Sequence, residues 1–271
     1  MKDNECVQFL QWALPQLHMR WLGFRRVRGQ VCKRLALRLE QLQLQDLVKY
    51  QHYLQDHPDE WQTLDALSRV TVSRFYRDKL MYATLAQDVM PSLVRQVQDA
   101  GEQVLQCWSA GCASGEEPYT MALLWEWILQ AQFPLFAIQI LATDADSHLL
   151  LRAQQACYPY SSVNNLPVPW RETAFTQSKD HYCLKPEDKK YVSFQQHDVR
   201  GLLPRRLFQL IMCRNLVFIY YDNERQLMIA ERFRDAIAAG GVLVIGLHES
   251  LPEGLDGFVP INKRLGLYQK A

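Results

Sequence analysis

From residue 103 onward the sequence alternates short apolar runs with helical stretches, and this rhythm limits the fold more than any other feature. The apolar runs are VLQCWSA, IQILATDAD, LFQLIMCRN and GGVLVIGLHE. Short runs that are apolar throughout are typical of strands buried on both faces, as in a parallel sheet covered by helices. The alternation therefore predicts an α/β fold with such a sheet.

Residues 1–70 have a different pattern. Apolar side chains recur there at steps of three and four residues, for example at Val31, Leu35 and Leu39, which predicts helices. We therefore expect a small helical amino-terminal domain over 1–70 and the sheet domain over 71–271. The segment 155–193 interrupts the rhythm with prolines and a polar, aromatic-containing stretch. It is interpreted as a short β element inserted into the sheet domain.

The overall charge is nearly balanced, with 30 Lys and Arg against 29 Asp and Glu and a net charge of +1. The whole chain therefore carries no electrostatic signature of a nucleic-acid-binding or membrane-binding protein. Charges interrupt the amino-terminal stretch that a secretory signal would need, and no apolar run is long enough to span a bilayer. A cytoplasmic protein without membrane insertion is expected.

The cysteines are odd in number and scattered, and none of them has the C-x-x-C spacing of a zinc site or redox pair. We expect no metal site, and we interpret the cysteines as buried thiols in a reducing compartment. They are Cys6, Cys32, Cys107, Cys112, Cys157, Cys183 and Cys213.

A glycine turn follows the first predicted strand and leads into an apolar helix. Gly111 and Gly115 allow a ligand to approach the backbone closely, at the strand edge where open α/β sheets bind ligands. The turn has no phosphate-binding lysine and instead carries Glu116 and Glu117, which suit a ligand with a cationic group. The alternative is an ordinary helix start, where the helix dipole favours acidic residues.

Acidic residues follow the next two predicted strands. Asp144 and Asp146 end the run ILATDAD, where a carboxylate commonly binds ribose hydroxyls, although a loop or helix cap is the alternative. Asp198 follows the strand YVSF and is a candidate acceptor for an adenine amino group.

Polar residues also interrupt the strand LIMCRN and precede the sheet. Burying Arg214 and Asn215 inside an apolar run costs free energy, so both are expected at a strand end that faces a cleft. The alternatives are an internal salt bridge for Arg214 and a turn for Asn215. Ser73, Arg77 and Asp78 surround two aromatic residues in SRFYRD, where a solvated helix end is the simpler interpretation.

The order and spacing of these segments resemble the CheR family of S-adenosylmethionine-dependent chemoreceptor methyltransferases, which methylate protein glutamate side chains. The matching pieces are SRFYRD, CWSAGCASGEEPYTMAL, ILATDAD, FQQHDV, LIMCRN, IYYD and GGVLVIGLHES. The combination of GEEPY after a small-residue turn with a later CRN is specific. The resemblance implies a Rossmann-like class I methyltransferase sheet, S-adenosylmethionine as cofactor and S-adenosylhomocysteine as product.

The resemblance also implies roles for individual residues. Ser73 and Arg77 would contact the methionine part of the cofactor, Glu117 its amino group or sulfonium side, and Asp144 the ribose. Asp198 and the Val199 backbone would meet the adenine, and Arg214 and Asn215 would line the floor. The complete implied cofactor-binding set is Ser73, Arg77, Gly111, Glu117, Asp144, Asp198, Val199, Arg214 and Asn215.

The catalytic residues implied by the resemblance are Arg77 and Tyr220. The family has three apolar residues between CRN and its aromatic pair, whereas CRNLVFIYYD has four, so Tyr221 is an alternative to Tyr220. The segment 155–193 is short for the β subdomain with which some members bind a receptor's terminal peptide.

A glutamate with a pKa of about 4.3 is already ionised at neutral pH, so such a methyl acceptor needs no general base. Alignment and desolvation would then supply most of the rate. Two alternatives remain: the same fold acting on another protein or small-molecule acceptor, and a non-catalytic module that binds S-adenosylmethionine. Nucleic-acid methylation is not expected, because the [DN]-P-P-[YF] run that accompanies an extruded base is missing from the sequence.

Residues 20–38 contain basic side chains and no acidic one. The segment is either a solvated helix face or a docking surface, for an acidic helical partner or for nucleic acid. The resemblance favours a protein partner, such as the cytoplasmic domain of a chemoreceptor, because in the family the amino-terminal helices meet the receptor. The basic residues of the segment are Arg20, Arg25, Arg26, Arg28, Lys33, Arg34 and Arg38.

Overall fold

The sequence folds into two compact units in the computed structural model, which describes residues 2–271. The helical unit comprises the chain up to Thr71 together with Ile219–Gln226. The sheet unit comprises Val72–Phe218 and Leu227–Ala271. In the described part of the chain, no helix is both long and apolar enough to cross a bilayer.

The helical unit is built on amphipathic helices. Val31, Leu35 and Leu39 are buried on one face of the third helix, at the spacing that the sequence predicts. Asp46 caps the fourth helix, where its carboxylate accepts the backbone N–H of Lys49. The helices are α1 (Asp3–Gln16), α2 (Trp21–Phe24), α3 (Arg28–Gln41), α4 (Leu47–Asp56) and α5 (Glu60–Ser68).

The remaining helices follow in chain order. They are α6 (Lys79–Thr84), α7 (Met90–Asp99), α8 (Glu116–Leu124), α9 (Ser147–Gln155), α10 (Tyr160–Val163), α11 (Val168–Ala174), α12 (Pro186–Lys189), α13 (Val217–Tyr220) and α14 (Asn223–Ala236). Short π-helical turns, Leu85–Val89 and Trp125–Leu129, follow α6 and α8.

The sheet unit contains a seven-stranded sheet and a three-stranded sheet. The order of the large sheet is β6-β2-β1-β7-β8-β10-β9 and that of the small one is β3-β5-β4. The strands are β1 (Val104–Ala110), β2 (Ala137–Asp144), β3 (Cys157–Pro159), β4 (Phe175–Ser178), β5 (His181–Leu184), β6 (Val192–Gln196), β7 (Phe208–Met212), β8 (Ile237–Val244), β9 (Phe258–Asn262) and β10 (Leu267–Lys270).

Strands β6, β2, β1, β7 and β8 are parallel, and β10 is antiparallel to both β8 and β9. Ala110 lies opposite Thr143, and Met212 lies opposite both Ser109 and Val244. The carboxyl ends of the central strands therefore meet at one edge of the sheet. The candidate residues that end or closely follow these strands lie at that edge; they are Gly111, Asp144, Asp198 and Arg214.

The small antiparallel sheet lies within the segment predicted as an inserted β element. Its buried residues Tyr158 and Phe175 both meet the ring of Phe75 edge to face, at centroid distances of 4.9 and 5.4 Å. The predicted fold class is therefore confirmed: a Rossmann-like, mostly parallel sheet, a helical amino-terminal part and a short inserted β element.

The interpretation of all the cysteines as buried thiols is wrong for four of them. Cys6 and Cys32 form a disulfide, and so do Cys157 and Cys183. Each pair is separated by 26 residues, so only the packing of α1 with α3 and the pairing of β3 with β5 bring the sulfurs together. Cys107, Cys112 and Cys213 are buried free thiols, and burial raises the pKa of each.

Peptide mapping of the unreduced protein should recover both cystine-linked pairs, with the three free thiols alkylated only after unfolding. Closing a loop of this length stabilises a domain by roughly 3 kcal/mol. Reduction should therefore lower the melting temperature. Labelling of Cys157 in the native, unreduced protein would contradict the pairing.

Candidate active site

The turn between β1 and α8 has the backbone geometry that its glycines suggest. Gly111, Ala113 and Gly115 all have positive φ, at 82°, 49° and 91°. A Cβ on Gly115 would lie 2.9 Å from the Cβ of Ala153, so only glycine allows α9 to pack this closely. The turn thus brings α8 to the carboxyl edge of β1.

Asp144, the last residue of β2, connects two loops of this edge. Its Oδ2 accepts the Ala113 N–H at 2.9 Å, and its Oδ1 accepts the Asp146 N–H at 2.9 Å. Asp146 instead caps α9, where its carboxylate accepts the N–H of His148. The two acidic residues of ILATDAD therefore have different roles, and Asp144 is the one that joins the loops at the carboxyl edge of the sheet.

Glu116 and Glu117 begin α8, as the helix-start interpretation requires. Glu116 is buried and the Glu117 side chain is 14% exposed, and each accepts a hydrogen bond from a residue outside the helix. The Glu116 carboxylate accepts the hydroxyl of Ser114 at 3.0 Å; burial raises its pKa, and the hydroxyls of Ser114 and the nearby Ser73 offset part of that rise. The Glu117 Oε1 accepts the hydroxyl of Ser109, on β1, at 2.8 Å. Ser73 is thus placed beside the first turn of α8.

Arg214 lies at the end of β7, with its side chain only 3% exposed. Its guanidinium forms an ion pair with Asp78 and another with Glu117, the latter with 3.4 Å between Nη1 and Oε2. The guanidinium also lies over the ring of Tyr82, 5.5 Å from the centroid. Arg214 is therefore both at a strand end and in an internal ion pair, so the two interpretations of its sequence position are compatible.

The charges in this cluster influence one another. Burial raises the pKa of Glu117, and the nearby Arg214 offsets part of that rise. Burial acts to lower the pKa of Arg214, but Tyr82, Glu117, Asp78 and Glu249 together outweigh it and raise the pKa. Arg214 therefore stays charged, whereas the proton affinity of Glu117 responds to any cation that approaches it.

Arg77 is less enclosed than Arg214, with its side chain 37% exposed. Its Nη1 donates to the carbonyl of Val72 at 3.3 Å, and its Nη2 donates to Asn215 Oδ1 at 3.4 Å. Asn215 has a φ of 56°, which is a turn conformation that asparagine tolerates. Two of the five guanidinium donors are thus used in hydrogen bonds and Nε lies 4.0 Å from the Asp78 carboxylate, so the second hydrogens of Nη1 and Nη2 remain for a ligand.

Asp198 and Val199 follow β6. The Asp198 carboxylate is paired with Arg200, with 2.6 Å between Oδ2 and Nη2, and also accepts the Arg200 N–H. Val199 is buried. An arginine two residues further on thus competes for the carboxylate that the resemblance assigns to adenine.

Tyr220 belongs to the helical unit, as does Tyr221. The Tyr220 ring packs against Phe24 at 5.0 Å, and its carbonyl accepts the Arg20 N–H at 2.8 Å. The Tyr221 carbonyl accepts from Gln226. Both tyrosines are buried in that unit.

The sheet-unit residues fit S-adenosylmethionine, which carries a carboxylate, an ammonium and a sulfonium. Glu117 offers a carboxylate to a cation, and Arg77 retains free donors for a carboxylate. Two buried polar atoms, Arg214 Nε and Glu249 Oε1, have no hydrogen-bond partner in the described protein. Across the described residues, no group of three or more His, Cys, Asp or Glu side chains is arranged to hold a metal ion.

A mostly parallel sheet with a glycine turn after β1 and an acidic residue at the end of β2 is typical of the Rossmann-like class I S-adenosylmethionine-dependent methyltransferases. The family model described as "CheR methyltransferase, SAM binding domain" matches residues 71–265. The chain therefore belongs to the CheR family. The predicted family and the predicted cofactor, S-adenosylmethionine, are both confirmed.

Curated relatives agree with this assignment. A chemotaxis protein methyltransferase of Listeria innocua is 33% identical over 73% of this chain and 72% of its own length. A chemotaxis protein methyltransferase of Vibrio cholerae is 31% identical over 82% of this chain and 77% of its length. An uncharacterized 104.1 kDa protein of Rhodobacter capsulatus is 30% identical over 89% of this chain, which spans only 25% of that longer protein.

Sequence reasoning assigned no role to Tyr82, Ser109 or Glu249. Tyr82 and Ser109 resemble core residues in the sequence, and only the tertiary structure shows them bonded to Arg214 and Glu117. Glu249 stands in the run GLHES, so an acidic residue shortly after a buried strand was the available signal.

Asp144→Ala should weaken binding of S-adenosylhomocysteine by roughly tenfold or more, because hydrogen bonds to a charged group are worth about 1.5–3 kcal/mol. Calorimetric titration measures the change. Asp146→Ala is the matched control, since it removes a helix cap, costs about 1 kcal/mol of stability and should leave the affinity unchanged. Equal affinities in the parent and the Asp144 variant would contradict a role in the cofactor site.

Proposed function

We propose that the chain transfers a methyl group from S-adenosylmethionine to glutamate side chains of a protein acceptor, and that this acceptor is a chemoreceptor-like signalling protein. Membership of the CheR family carries the proposal. The names of the Listeria and Vibrio relatives support an acceptor from chemotaxis.

The acid–base chemistry of the site supports a carboxylate acceptor. A glutamate is ionised at neutral pH and needs no proton removed before it attacks. In the sheet unit, the carboxylates of Asp78 and Glu117 are paired with Arg214, so neither is a free general base. Such a site can methylate a carboxylate, because this acceptor needs no general base.

When bound, S-adenosylmethionine supplies the electrophilic methyl group. Arg77, with its unused donors, is proposed to hold one oxygen of the acceptor carboxylate and the carboxylate end of the cofactor. A single contact leaves the other acceptor oxygen free to attack. Tyr220 is proposed as a second group near the acceptor. This proposal rests only on the resemblance of CRNLVFIYYD to the corresponding segment of the CheR family.

Labelled S-adenosylmethionine tests the reaction. The protein, incubated with the cytoplasmic domain of a chemoreceptor, should produce label that mild alkali releases as volatile methanol, as a carboxyl ester requires. Arg77→Ala should reduce this transfer by about 100-fold while the melting temperature stays near that of the parent, because the side chain is half-exposed. Arg74→Ala, which removes an exposed arginine three residues away, is the matched control.

Alkali-stable label would contradict esterification and favour methylation at nitrogen or carbon. Loss of the folding transition in the Arg77 variant would instead make Arg77 a structural residue.

The basic segment 20–38 divides into internally bonded and free cations. Arg28 pairs with Asp3 at 3.0 Å, and Arg34 donates to the carbonyls of Leu67 and Arg69. Arg38 forms two hydrogen bonds to Glu60, at 2.9 and 2.7 Å, and this carboxylate also accepts the hydroxyl of Tyr50. Arg20 donates to the carbonyl of Ile219. These four arginines stabilise the helical unit.

The other three cations, Arg25, Arg26 and Lys33, are exposed, and their side chains have neither an ion pair nor a hydrogen bond among residues 2–271. Leu22 and Leu37 are exposed in the same segment, at 67% and 59%. We propose that these five residues, the basic docking face, contact an acidic helical segment of the acceptor. Charge would attract the partner and the leucines would supply apolar contact area.

Reversing Arg25, Arg26 and Lys33 to Glu should slow transfer to the protein acceptor by about tenfold at low salt and leave S-adenosylhomocysteine binding intact. The parent's rate should also fall as salt rises, since exposed charges are screened within about 8 Å at physiological ionic strength. At high salt the parent and the variant should converge.

The matched control reverses Arg95, Lys263 and Arg264, which are exposed cations of the sheet unit, and changes the net charge equally. If both triple variants slow transfer to the same extent, the change in net charge causes the effect and the position of the charges does not. If the rate of methyl transfer responds neither to charge reversal nor to salt, the segment is a solvated helix face and not a docking surface.

A further inference from the structure

Glu249 lies in the loop after β8 and is 7% exposed. One of its oxygens, Oε2, accepts two backbone N–H groups, from Gly246 at 2.6 Å and from Asn215 at 2.8 Å. Gly246 follows β8 and Asn215 follows β7. A single carboxylate oxygen therefore joins the two loops at the carboxyl edge of these neighbouring strands.

The backbone at Gly246 is shaped around this contact. A Cβ added there would lie 2.7 Å from Glu249 Oε2 and 3.0 Å from Asn215 Oδ1. Both distances are too short for an unstrained contact, so a side chain at this position would push on the carboxylate and on the asparagine amide together. The glycine lets the three groups converge.

The contact continues from Asn215 to Arg77. The Asn215 N–H is held by Glu249, while the Asn215 Oδ1 accepts from Arg77 Nη2 at 3.4 Å. Asn215 is in the left-handed conformation, with a φ of 56°, which asparagine tolerates and which the contacts of its N–H and its amide oxygen hold here. Glu249 supplies one of the contacts that fix it.

The other carboxylate oxygen, Oε1, is buried without a hydrogen-bond partner in the described protein. Burial raises the pKa of Glu249, and the Asn215 and Gly246 N–H groups offset part of the rise. An unpartnered buried carboxylate oxygen costs stability, whereas the two N–H groups that Oε2 binds both lie at the carboxyl edge of the sheet. The placement indicates a role in the site and not only in the fold.

We propose that Glu249 is a positioning residue for the cofactor site: by binding the Asn215 and Gly246 N–H groups, it holds Asn215 in the orientation in which its amide oxygen fixes Arg77. The inference rests on the proposed role of Arg77. It concerns binding of the cofactor and is independent of which acceptor is methylated.

The first variant is Glu249→Gln. The glutamine side-chain oxygen can accept both N–H groups, so the clamp survives without the charge. Its S-adenosylhomocysteine affinity should stay within about threefold of the parent's, whereas Glu249→Ala, which leaves both N–H groups unpaired, should lose about tenfold or more. In steady-state assays of the Ala variant, the KM for S-adenosylmethionine should rise and the KM for the acceptor should not.

Gly246→Ala provides a second test that keeps the carboxylate. It should weaken S-adenosylhomocysteine binding as Glu249→Ala does, because the new Cβ displaces the carboxylate and the amide. Gly29→Ala is the matched control, since a Cβ there meets nothing within 4 Å. If Glu249→Ala does not fold, the Gln and Gly246 variants still decide the question.

Two results would overturn the proposal. A lower melting temperature in the Ala variant with unchanged S-adenosylhomocysteine affinity would make Glu249 purely structural. Equal losses in the Gln and Ala variants would show that the charge matters and the clamp does not. A parent that binds S-adenosylhomocysteine but esterifies no glutamate would refute the proposed function and leave this test intact.

Discussion

The sheet unit depends on one buried cation. Arg214 enters the interior at the end of β7 and is neutralised by Asp78, just before α6, and by Glu117, in the first turn of α8. Three elements distant in sequence are thereby fixed to one guanidinium. Removing a single partner of such a buried pair costs about 3–5 kcal/mol, because it leaves an uncompensated charge. The geometry of the carboxyl edge is therefore specified strongly, although the pairing adds little net stability.

The parallel pairing of the strands places the Arg214 ion pairs next to the other loops of the site. Because β1, β2, β7 and β8 run in the same direction in close register, the loops at their carboxyl ends reach one edge. Asp144 then ties the β1 and β2 loops together, and Glu249 ties the β7 and β8 loops together. Both carboxylates bind backbone N–H groups, and a side-chain substitution at the donor residue does not remove such a group.

The strands and the site edge were predictable because their signals are local. An apolar run such as VLQCWSA must be buried, and the polar residues after such a run must leave the sheet, so the position of Asp144 is predictable from the sequence. Bonds between distant residues left no such signal. The disulfide between Cys157 and Cys183 depends on the pairing of β3 with β5, and the ion pair of Asp78 with Arg214 depends on the packing of α6 against the end of β7. The sequence of the basic segment likewise does not indicate which of its cations are bonded, because this depends on the packing of the helices.

The carboxylates of Glu117 and Glu249 affect both ligand binding and the free energy of unfolding. Burial raises the pKa of both Glu117 and Glu249, so each holds its proton more tightly in the folded than in the unfolded chain. The stabilisation that this provides is present at low pH and is lost as pH rises through the raised pKa. Once ionised, these carboxylates therefore make the empty site less stable than a neutral one would be. A cation bound beside Glu117 favours the ionised form and recovers part of that loss. Sites that bind charged ligands are commonly destabilised in this way, because the same groups that attract the ligand are costly to bury when it is absent.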